Sequence, residues 1–123
     1  DAALDVFDGV DLAALRTKAD ALFELFVGQV RRLAPELEPA TPTDPTRRGT
    51  QVSLRHPEAY AVMQALIARG VIGDFREPDI LRFGLTPLYL SFADVQRAAG
   101  ILGEVMRTGA WDRPQYKLRA KVV

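Results

Sequence analysis

One arginine stands in the middle of a segment whose apolar residues alternate, and its side chain is the one best suited to bind a ligand. Segment 80–86 is predicted to be a strand, and its core face carries Leu81, Phe83 and Leu85. Arg82 and Gly84 share the opposite face, where the glycine leaves room beside the guanidinium. A charged group in this position needs water, a carboxylate of the protein or an anionic ligand as its partner.

The residues alone leave two interpretations of Arg82 open. In the first, it forms a structural salt bridge across a predicted hairpin, whose turn at 76–79 contains Pro78, to either Asp74 or Glu77. In the second, it holds the carboxylate of a ligand in a two-pronged contact, for which the planar fork of arginine is better suited than lysine. The gap at Gly84 supports the second interpretation, but the residues alone still favour the structural salt bridge.

Other residues that could carry chemistry are few, and no catalytic residue is predicted in this chain. His56 is the single histidine and precedes a predicted helix, which favours a capping or surface role over catalysis. Lys18 lies on a predicted helix, and Lys117 and Lys121 lie in the tail, so none has the apolar surroundings that lower a lysine pKa. No His/Cys cluster has the spacing of metal ligands, and no metal site is predicted.

The elements that must position Arg82 follow from hydrophobic periodicity. Apolar residues recur every three or four positions in three segments, which predicts helices over 11–33, 57–69 and 91–109. Shorter alternating segments predict strands at 51–54, 71–75 and 80–86. The order α–β–α–β–β–α predicts an α+β domain of two layers, in which a short mixed or antiparallel sheet carries helices on one face.

The predicted helix ends have recognisable signals. Asp11 is suited to an N-cap, Pro57 to a first turn and Gly70 to the position after a helix. Ser91 and Asp94 have the spacing of a capping box at the start of the last helix. The buried stripe predicted for that helix consists of Phe92, Val95, Ala99, Leu102 and Met106.

Two further packing features are predicted for the helices. Gly100 and Gly103 weaken the last helix, which indicates that another element packs closely against them. Phe23 and Leu25 widen the apolar face of helix 11–33 beyond one stripe. We therefore expect an exposed apolar area, chiefly along this helix, against which a larger domain or a dimer partner packs.

Length and composition describe one domain with a substantial core. The 123 residues are 48% hydrophobic, and the 16 basic residues balance the 16 acidic ones, which argues against binding nucleic acid or an anionic membrane surface. No apolar run approaches the ~18 residues of a membrane-spanning helix. The absence of cysteine fits a cytoplasmic protein.

The chain divides into five segments around this core. Residues 1–10 are predicted to be a linking segment, 11–33 a long helix, 35–49 a proline-rich surface connection, 50–109 the sheet and its helices, and 110–123 a tail. The chain begins with Asp1 inside an apolar run, and we expect it to be a piece of a longer polypeptide.

Several stretches of the sequence resemble the C-terminal part of the kynureninases. The resemblance is carried by the run GDFREP at 73–78, by Leu81-Arg82-Phe83 and Pro87-Leu88-Tyr89, and by RGTQVSL at 48–54. The earlier stretch ALDVFDGVDLAALR at 3–16 is similar as well. The resemblance covers most of the chain except the proline-rich connection and the last dozen residues.

The resemblance implies a pyridoxal-phosphate enzyme of the aspartate-aminotransferase fold type, of which residues 1–123 form the C-terminal small domain. Such an enzyme hydrolyses L-kynurenine or 3-hydroxykynurenine to an anthranilate and L-alanine, and works as a homodimer. Arg82 matches the arginine that binds the substrate α-carboxylate in this family. The cofactor lysine and the other cofactor-binding residues of the family lie upstream of the matched region, so the resemblance predicts that this chain alone is inactive.

Two alternatives of another class accompany this hypothesis. The chain is then either a free-standing module that binds an amino acid through Arg82, or an interaction domain that uses the broad face of helix 11–33. The mass of the intact protein in its source cell separates these alternatives from the enzyme fragment.

Overall fold

The computed structural model describes residues 12–40, 51–87 and 90–118. Its helices are Leu12–Leu33 (α1), Ala59–Ala68 (α2), Phe92–Thr108 (α3) and Pro114–Lys117 (α4). Its strands are Glu38–Pro39 (β1), Gln51–Arg55 (β2), Asp74–Arg76 (β3) and Ile80–Gly84 (β4). The predicted linking segment 1–10, the N-cap at Asp11 and most of the proline-rich connection lie outside the described residues.

The strands form one antiparallel sheet in the order β1-β2-β4-β3. In its central pair, Val52 lies opposite Phe83 and Leu54 opposite Leu81, and all of these side chains are buried. The alternate positions lie on the second face of the sheet, which is partly or fully exposed. The predicted α+β class is confirmed, because the buried face of the sheet and the helices share a single hydrophobic core.

Helices α1 and α3 pack closely against each other in this core. A Cβ atom added at Gly103 would lie 2.7 Å from the Cβ of Leu33, so only glycine fits at this contact and the prediction for Gly103 is confirmed. The prediction for Gly100 is wrong, since a Cβ atom there would meet nothing within 4 Å. Both glycines weaken the helix, and only one of them has a packing reason.

The start of α3 has the predicted capping box. The hydroxyl of Ser91 accepts a hydrogen bond from the Asp94 backbone N–H at 3.1 Å, and the Asp94 carboxylate accepts one from the Ser91 N–H at 2.9 Å. Gly109 ends the helix in the left-handed conformation with φ 66°. Val95, Ala99 and Leu102 are buried as predicted. Phe92 is 47% exposed and Met106 is only partly buried, which corrects the predicted stripe at both ends.

Several predicted boundaries near the hairpin were wrong by a few residues. Strand β4 ends at Gly84, two residues before the predicted end of segment 80–86. Helix α2 begins at Ala59 rather than Pro57, because 56–59 form a turn in which the Ala59 N–H donates to the His56 carbonyl at 3.1 Å. At the other end Gly70 adopts φ 85° after the helix, as predicted. The next N–H, that of Val71, still donates to Leu66 in the helix, so β3 begins only at Asp74.

Two short elements were not predicted. Strand β1 lies within the proline-rich connection and pairs with β2, with Glu38 opposite Arg55 and Pro39 opposite Leu54. A proline is tolerated there because β1 is an edge strand of the sheet. The second element is α4, a single turn in the tail, which begins at Pro114 in the position that proline favours.

The exposed apolar side chains do not concentrate on α1 as predicted. Phe23 and Phe26 are 4% and 2% exposed and Leu25 is partly buried, because α3 and the sheet cover the broad face of the helix. Leu12 is 67% exposed, but the other large apolar side chains exposed in the described ranges lie elsewhere: Ile67, Ile72, Phe92 and Leu118. Across the described residues, no helix combines the length and the apolar character needed to cross a membrane.

Candidate functional site

Arg82 occupies the middle of β4, with a neighbouring strand on each side. Its cross-strand partners are Ser53 on β2 and Asp74 on β3. Side chains directly opposite each other in an antiparallel sheet lie on the same face, ~5 Å apart at Cβ. The register therefore places an aspartate beside the guanidinium on the face that the helices do not cover.

The two side chains form a bidentate ion pair. Nε of Arg82 donates to Oδ1 of Asp74 at 3.0 Å, and Nη2 donates to Oδ2 at 2.7 Å. These hydrogen bonds lower the pKa of Asp74 below its ordinary value, so the carboxylate is ionised at neutral pH. Asp74 and Glu77 were the two predicted partners for a structural pair with Arg82, and the bidentate contact is with Asp74.

This pair does not use the whole guanidinium. A guanidinium has a side edge, formed by Nε and Nη2, and an end edge, formed by Nη1 and Nη2, and each edge fits one carboxylate. Asp74 lies on the side edge. A structural ion pair and a ligand contact at Arg82 are therefore compatible, because Nη1 and the second N–H of Nη2 take no part in the pair.

A cleft of about 780 Å³ opens beside Arg82, a size suited to a small-molecule ligand. Arg82, Asp74 and Gly84 line it together with apolar residues from α3 and from the loops that follow α2 and β4. A Cβ atom added at Gly84 would meet nothing within 4 Å, so the space that the sequence predicts beside the guanidinium is present.

Gly73 also lines the cleft and was not predicted as a site residue. A Cβ atom at Gly73 would lie 2.8 Å from the carbonyl oxygen of Arg82 and 2.9 Å from both Met63 and Phe83. The backbone at Gly73 thus approaches β4 more closely than any side chain allows. The only sequence signal was a glycine directly before the first residue of a hairpin strand.

Two further arginines line the cleft and were also missed. Arg69 follows α2, and its Nη1 donates to the Ala65 carbonyl at 3.0 Å. Arg97 lies on α3, one helical turn after Asp94. The pKa of Asp94 is lowered by the Ser91 backbone N–H that it accepts in the capping box. Three arginines against two aspartates leave a net positive charge along the cleft, which favours an anionic ligand.

His56 lies outside the cleft lining and has a structural role. Its Nδ1 accepts a hydrogen bond from the Glu58 backbone N–H at 2.9 Å, just before α2, and its ring packs edge-on against Trp111 with centroids 5.6 Å apart. An Nδ1 that accepts must be unprotonated. Burial lowers the pKa of His56, which agrees with this acceptor role. The side chain of His56 does not cap α2, whose N-cap residue is Glu58 and which has no side-chain cap hydrogen bond, so the predicted capping role is wrong in its detail.

The pKa of His56 predicts a pH dependence of stability. Because the folded pKa lies below the unfolded value, the unfolded chain binds more protons, and the contribution of His56 is present above pH ~6.5 and decreases below it. We expect the midpoint of urea unfolding of this chain to decrease when the pH is lowered from about 7.5 to 5.5. The decrease should be smaller in the His56→Gln variant. Equal decreases in the unmodified chain and in the variant would contradict this role. Asp74 and Asp94 do not contribute to the difference, because their lowered pKa values lie below this pH range.

The described lysines do not fit as anchors for a carbonyl cofactor. Nζ of Lys18 donates to the Pro87 carbonyl at 2.8 Å. Lys117 forms an ion pair with Asp112, and its Nζ lies 5.7 Å from the centroid of the Trp111 ring. Lys121 lies outside the described residues. In the part of the chain that the structure describes, no group of three or more His, Cys, Asp or Glu residues is placed to hold a metal ion.

One further residue of the matched stretches, Arg76, lies close to the pair. Arg76 approaches it from the end of the hairpin, with Nη2 at 3.8 Å from Oδ2 of Asp74. Tyr89, the last residue of the matched stretch Pro87-Leu88-Tyr89, lies outside the described residues.

Comparisons with known proteins agree on one family. The model of the kynureninase C-terminal domain matches residues 15–102. A kynureninase from Pseudomonas fluorescens is 51% identical over 121 residues, which is 97% of this chain and 29% of that protein. Kynureninases from Burkholderia mallei (strain SAVP1) and Burkholderia pseudomallei (strain K96243) are each 50% identical over the same shares. The chain thus spans about 29% of the length of the relatives it matches.

The family model includes β2, the whole β3–β4 hairpin with Asp74 and Arg82, and most of the two long helices that pack together behind the sheet. The chain therefore belongs to the kynureninase C-terminal domain family.

Proposed function

We propose that this chain is the C-terminal small domain of a kynureninase-type hydrolase, and that Arg82 binds the α-carboxylate of its substrate. The whole protein would cleave L-kynurenine or 3-hydroxykynurenine between Cβ and Cγ, and would release an anthranilate and L-alanine. The other partners of residues 1–123 would be the N-terminal remainder of the same polypeptide and a second subunit in a homodimer.

The observation that carries this proposal is the setting of Arg82. Its side chain is 27% exposed, it lines an electropositive cleft, and its end edge is not used by Asp74. The empty space at Gly84 lies on the same strand, two residues away and on the same face. An amino-acid carboxylate fits the end edge of a guanidinium in a bidentate contact.

By binding the substrate α-carboxylate, this domain would also contribute to catalysis. Fixing one end of the substrate limits its motion relative to the reacting bond, which lies several atoms away, and this reduces the entropy lost on reaching the transition state. Arg82 takes no part in proton transfer, because a guanidinium keeps its proton in proteins.

Pyridoxal phosphate, which the family implies for the whole protein, would supply the electron sink for the cleavage when bound. The described lysines of this chain do not fit as its anchor, since Lys18 and Lys117 are engaged with Pro87 and Asp112. We therefore place the cofactor site in the remainder of the polypeptide and derive no chemical step within this chain.

The proposal is tested by comparing the full-length protein with the separated chain. We expect the full-length protein to form anthranilate and alanine from L-kynurenine, and the separated chain to form neither product with added pyridoxal phosphate. Borohydride reduction should trap no cofactor on the separated chain. A reduced adduct mapped to Lys18, Lys117 or Lys121 would contradict the placement of the cofactor site outside this chain. A full-length protein without activity on L-kynurenine or 3-hydroxykynurenine would contradict the proposed reaction.

A further inference from the structure

The ion pair at Arg82 has a consequence for how a ligand would be held. Asp74 and Arg82 are direct cross-strand neighbours, so their Cα positions are fixed by the backbone hydrogen bonds of the β3–β4 hairpin. Both oxygens of Asp74 contact the same edge of the guanidinium, at 3.0 and 2.7 Å. A bidentate contact fixes the plane of the guanidinium as well as its position.

From this geometry we infer that Asp74 is a positioning residue, which holds the side edge of Arg82 so that its end edge is oriented for the carboxylate of the substrate. The inference rests on the proposed function of Arg82 and adds a second residue to it. Asp74 itself would not touch the substrate carboxylate, because two carboxylates repel each other.

The need for such a residue follows from the length of the arginine side chain. Four rotatable bonds separate the guanidinium from the backbone, and Gly84, the next residue on the same face of β4, provides no side chain to pack against it. Without a partner the guanidinium would sample several positions, and binding a ligand would include the cost of ordering it. Asp74 orders it before the ligand arrives.

The charge balance around the pair remains suited to an anion. Asp74 neutralises one positive charge, but Nη2 of Arg76 lies 3.8 Å from Oδ2 of Asp74, the same oxygen that Nη2 of Arg82 contacts. Two arginines and one aspartate leave one net positive charge for the incoming carboxylate. Asp74 is ionised in this setting because hydrogen bonds from Arg82 lower its pKa.

The test uses the full-length protein and two ligands that differ only at the α-carboxyl group. L-Kynurenine has an α-carboxylate, and its α-carboxamide has a neutral group of the same shape. For each variant we would measure kcat and KM with kynurenine, the inhibition constant of the carboxamide and the thermal midpoint. The ratio of the two affinities reports the preference for a carboxylate, which a purely structural residue would not change.

We expect Asp74→Asn to raise KM for kynurenine about 10- to 100-fold, the range typical of a small misplacement at a binding site, with a smaller change in kcat. The asparagine amide presents an N–H where Arg82 requires an acceptor, so the bidentate contact is lost. The inhibition constant of the carboxamide should change little. Asp74→Glu keeps a carboxylate and should recover part of the preference.

The matched control is Asp79→Asn. Asp79, in the turn of the same hairpin, pairs with Arg55 on β2, with its Oδ1 3.6 Å from Nε of Arg55, and it does not line the cleft. We expect this variant to keep the kinetic constants of the unmodified protein.

The outcomes separate the inference from the proposal beneath it. If Asp74→Asn keeps the carboxylate preference, or weakens both ligands equally while lowering the thermal midpoint, Asp74 is only structural and the inference is wrong. If Arg82→Ala also keeps the preference, the proposed function of Arg82 fails as well. Loss of the preference in Arg82→Ala and Asp74→Asn, with retention in Asp79→Asn, supports both.

Discussion

Replacing Arg82 with alanine in the full-length protein is expected to lower kcat/KM for L-kynurenine by at least about 100-fold. Each hydrogen bond to a charged group contributes roughly 1.5–3 kcal/mol, and a bidentate contact has two of them. Every ~1.4 kcal/mol corresponds to a factor of ten in rate or affinity, so the loss of both bonds exceeds two orders of magnitude. Arg82→Lys keeps the charge but loses the two-pronged geometry, so its kcat/KM should lie between those of the unmodified protein and of Arg82→Ala.

The effect of Arg82→Ala on folding should be small in comparison. Asp74 is 48% exposed in the pair, so water can solvate its carboxylate after the arginine is removed. Arg55→Ala is the matched control, because it breaks the Arg55–Asp79 pair on the same sheet outside the cleft lining. Turnover close to that of the unmodified protein, together with a collapsed thermal midpoint, would show that Arg82 is a structural residue only.

Phe26→Ala should destabilise this chain by about 3–5 kcal/mol, the usual range for removing a buried phenylalanine. Phe26 is 2% exposed on α1, and its ring contacts that of Phe83 with centroids 5.4 Å apart and a tilt of 59°. Phe83 is the neighbour of Arg82 on β4, so the same contact supports the strand that holds the candidate site.

Urea unfolding of this chain measures that effect, and Phe92→Ala provides the control. Phe92 is 47% exposed at the start of α3, so its removal leaves little cavity and should cost much less. A Phe26→Ala variant within about 1 kcal/mol of the unmodified chain would contradict the description of the core, because a buried ring cannot be removed at so small a cost without extensive repacking.

The sequence was sufficient to predict the features that depend on local periodicity. The alternation in 80–86 correctly separated buried Leu81 and Phe83 from partly exposed Arg82, because neighbouring residues of a strand point to opposite faces. The capping box at Ser91 and the left-handed glycine at Gly70 were equally predictable, since their chemistry is determined by residues a few positions apart.

Features that depend on register or on contacts distant in the chain were not predictable. Asp74 and Glu77 were equivalent partners for Arg82 until the register placed Asp74 opposite it. Gly100 and Gly103 looked alike in the sequence, and only the approach of Leu33 distinguishes them. Strand β1 depends on pairing with β2, which offset the poor strand propensity of a proline-rich segment.

The candidate site likewise combines residues that the local sequence predicts with residues that only the tertiary structure brings together. Arg82 and the gap at Gly84 followed from the pattern of one strand, and the resemblance added the role of Arg82 as a prediction. Arg69 and Arg97 come from two different helical regions and meet at the cleft only in the folded chain. The close approach of Gly73 to the Arg82 carbonyl is likewise a property of the tertiary structure.

The most direct test of the account is a crystal structure of the full-length protein with a bound, unreactive kynurenine analogue that keeps the α-carboxylate. The distances from the ligand carboxylate oxygens to Nη1 and Nη2 of Arg82 are the decisive measurement. We predict two contacts of about 2.7–2.9 Å at the end edge, with Asp74 still on Nε. A ligand carboxylate bound elsewhere, with Arg82 engaged only by Asp74, would contradict the proposed role of this arginine.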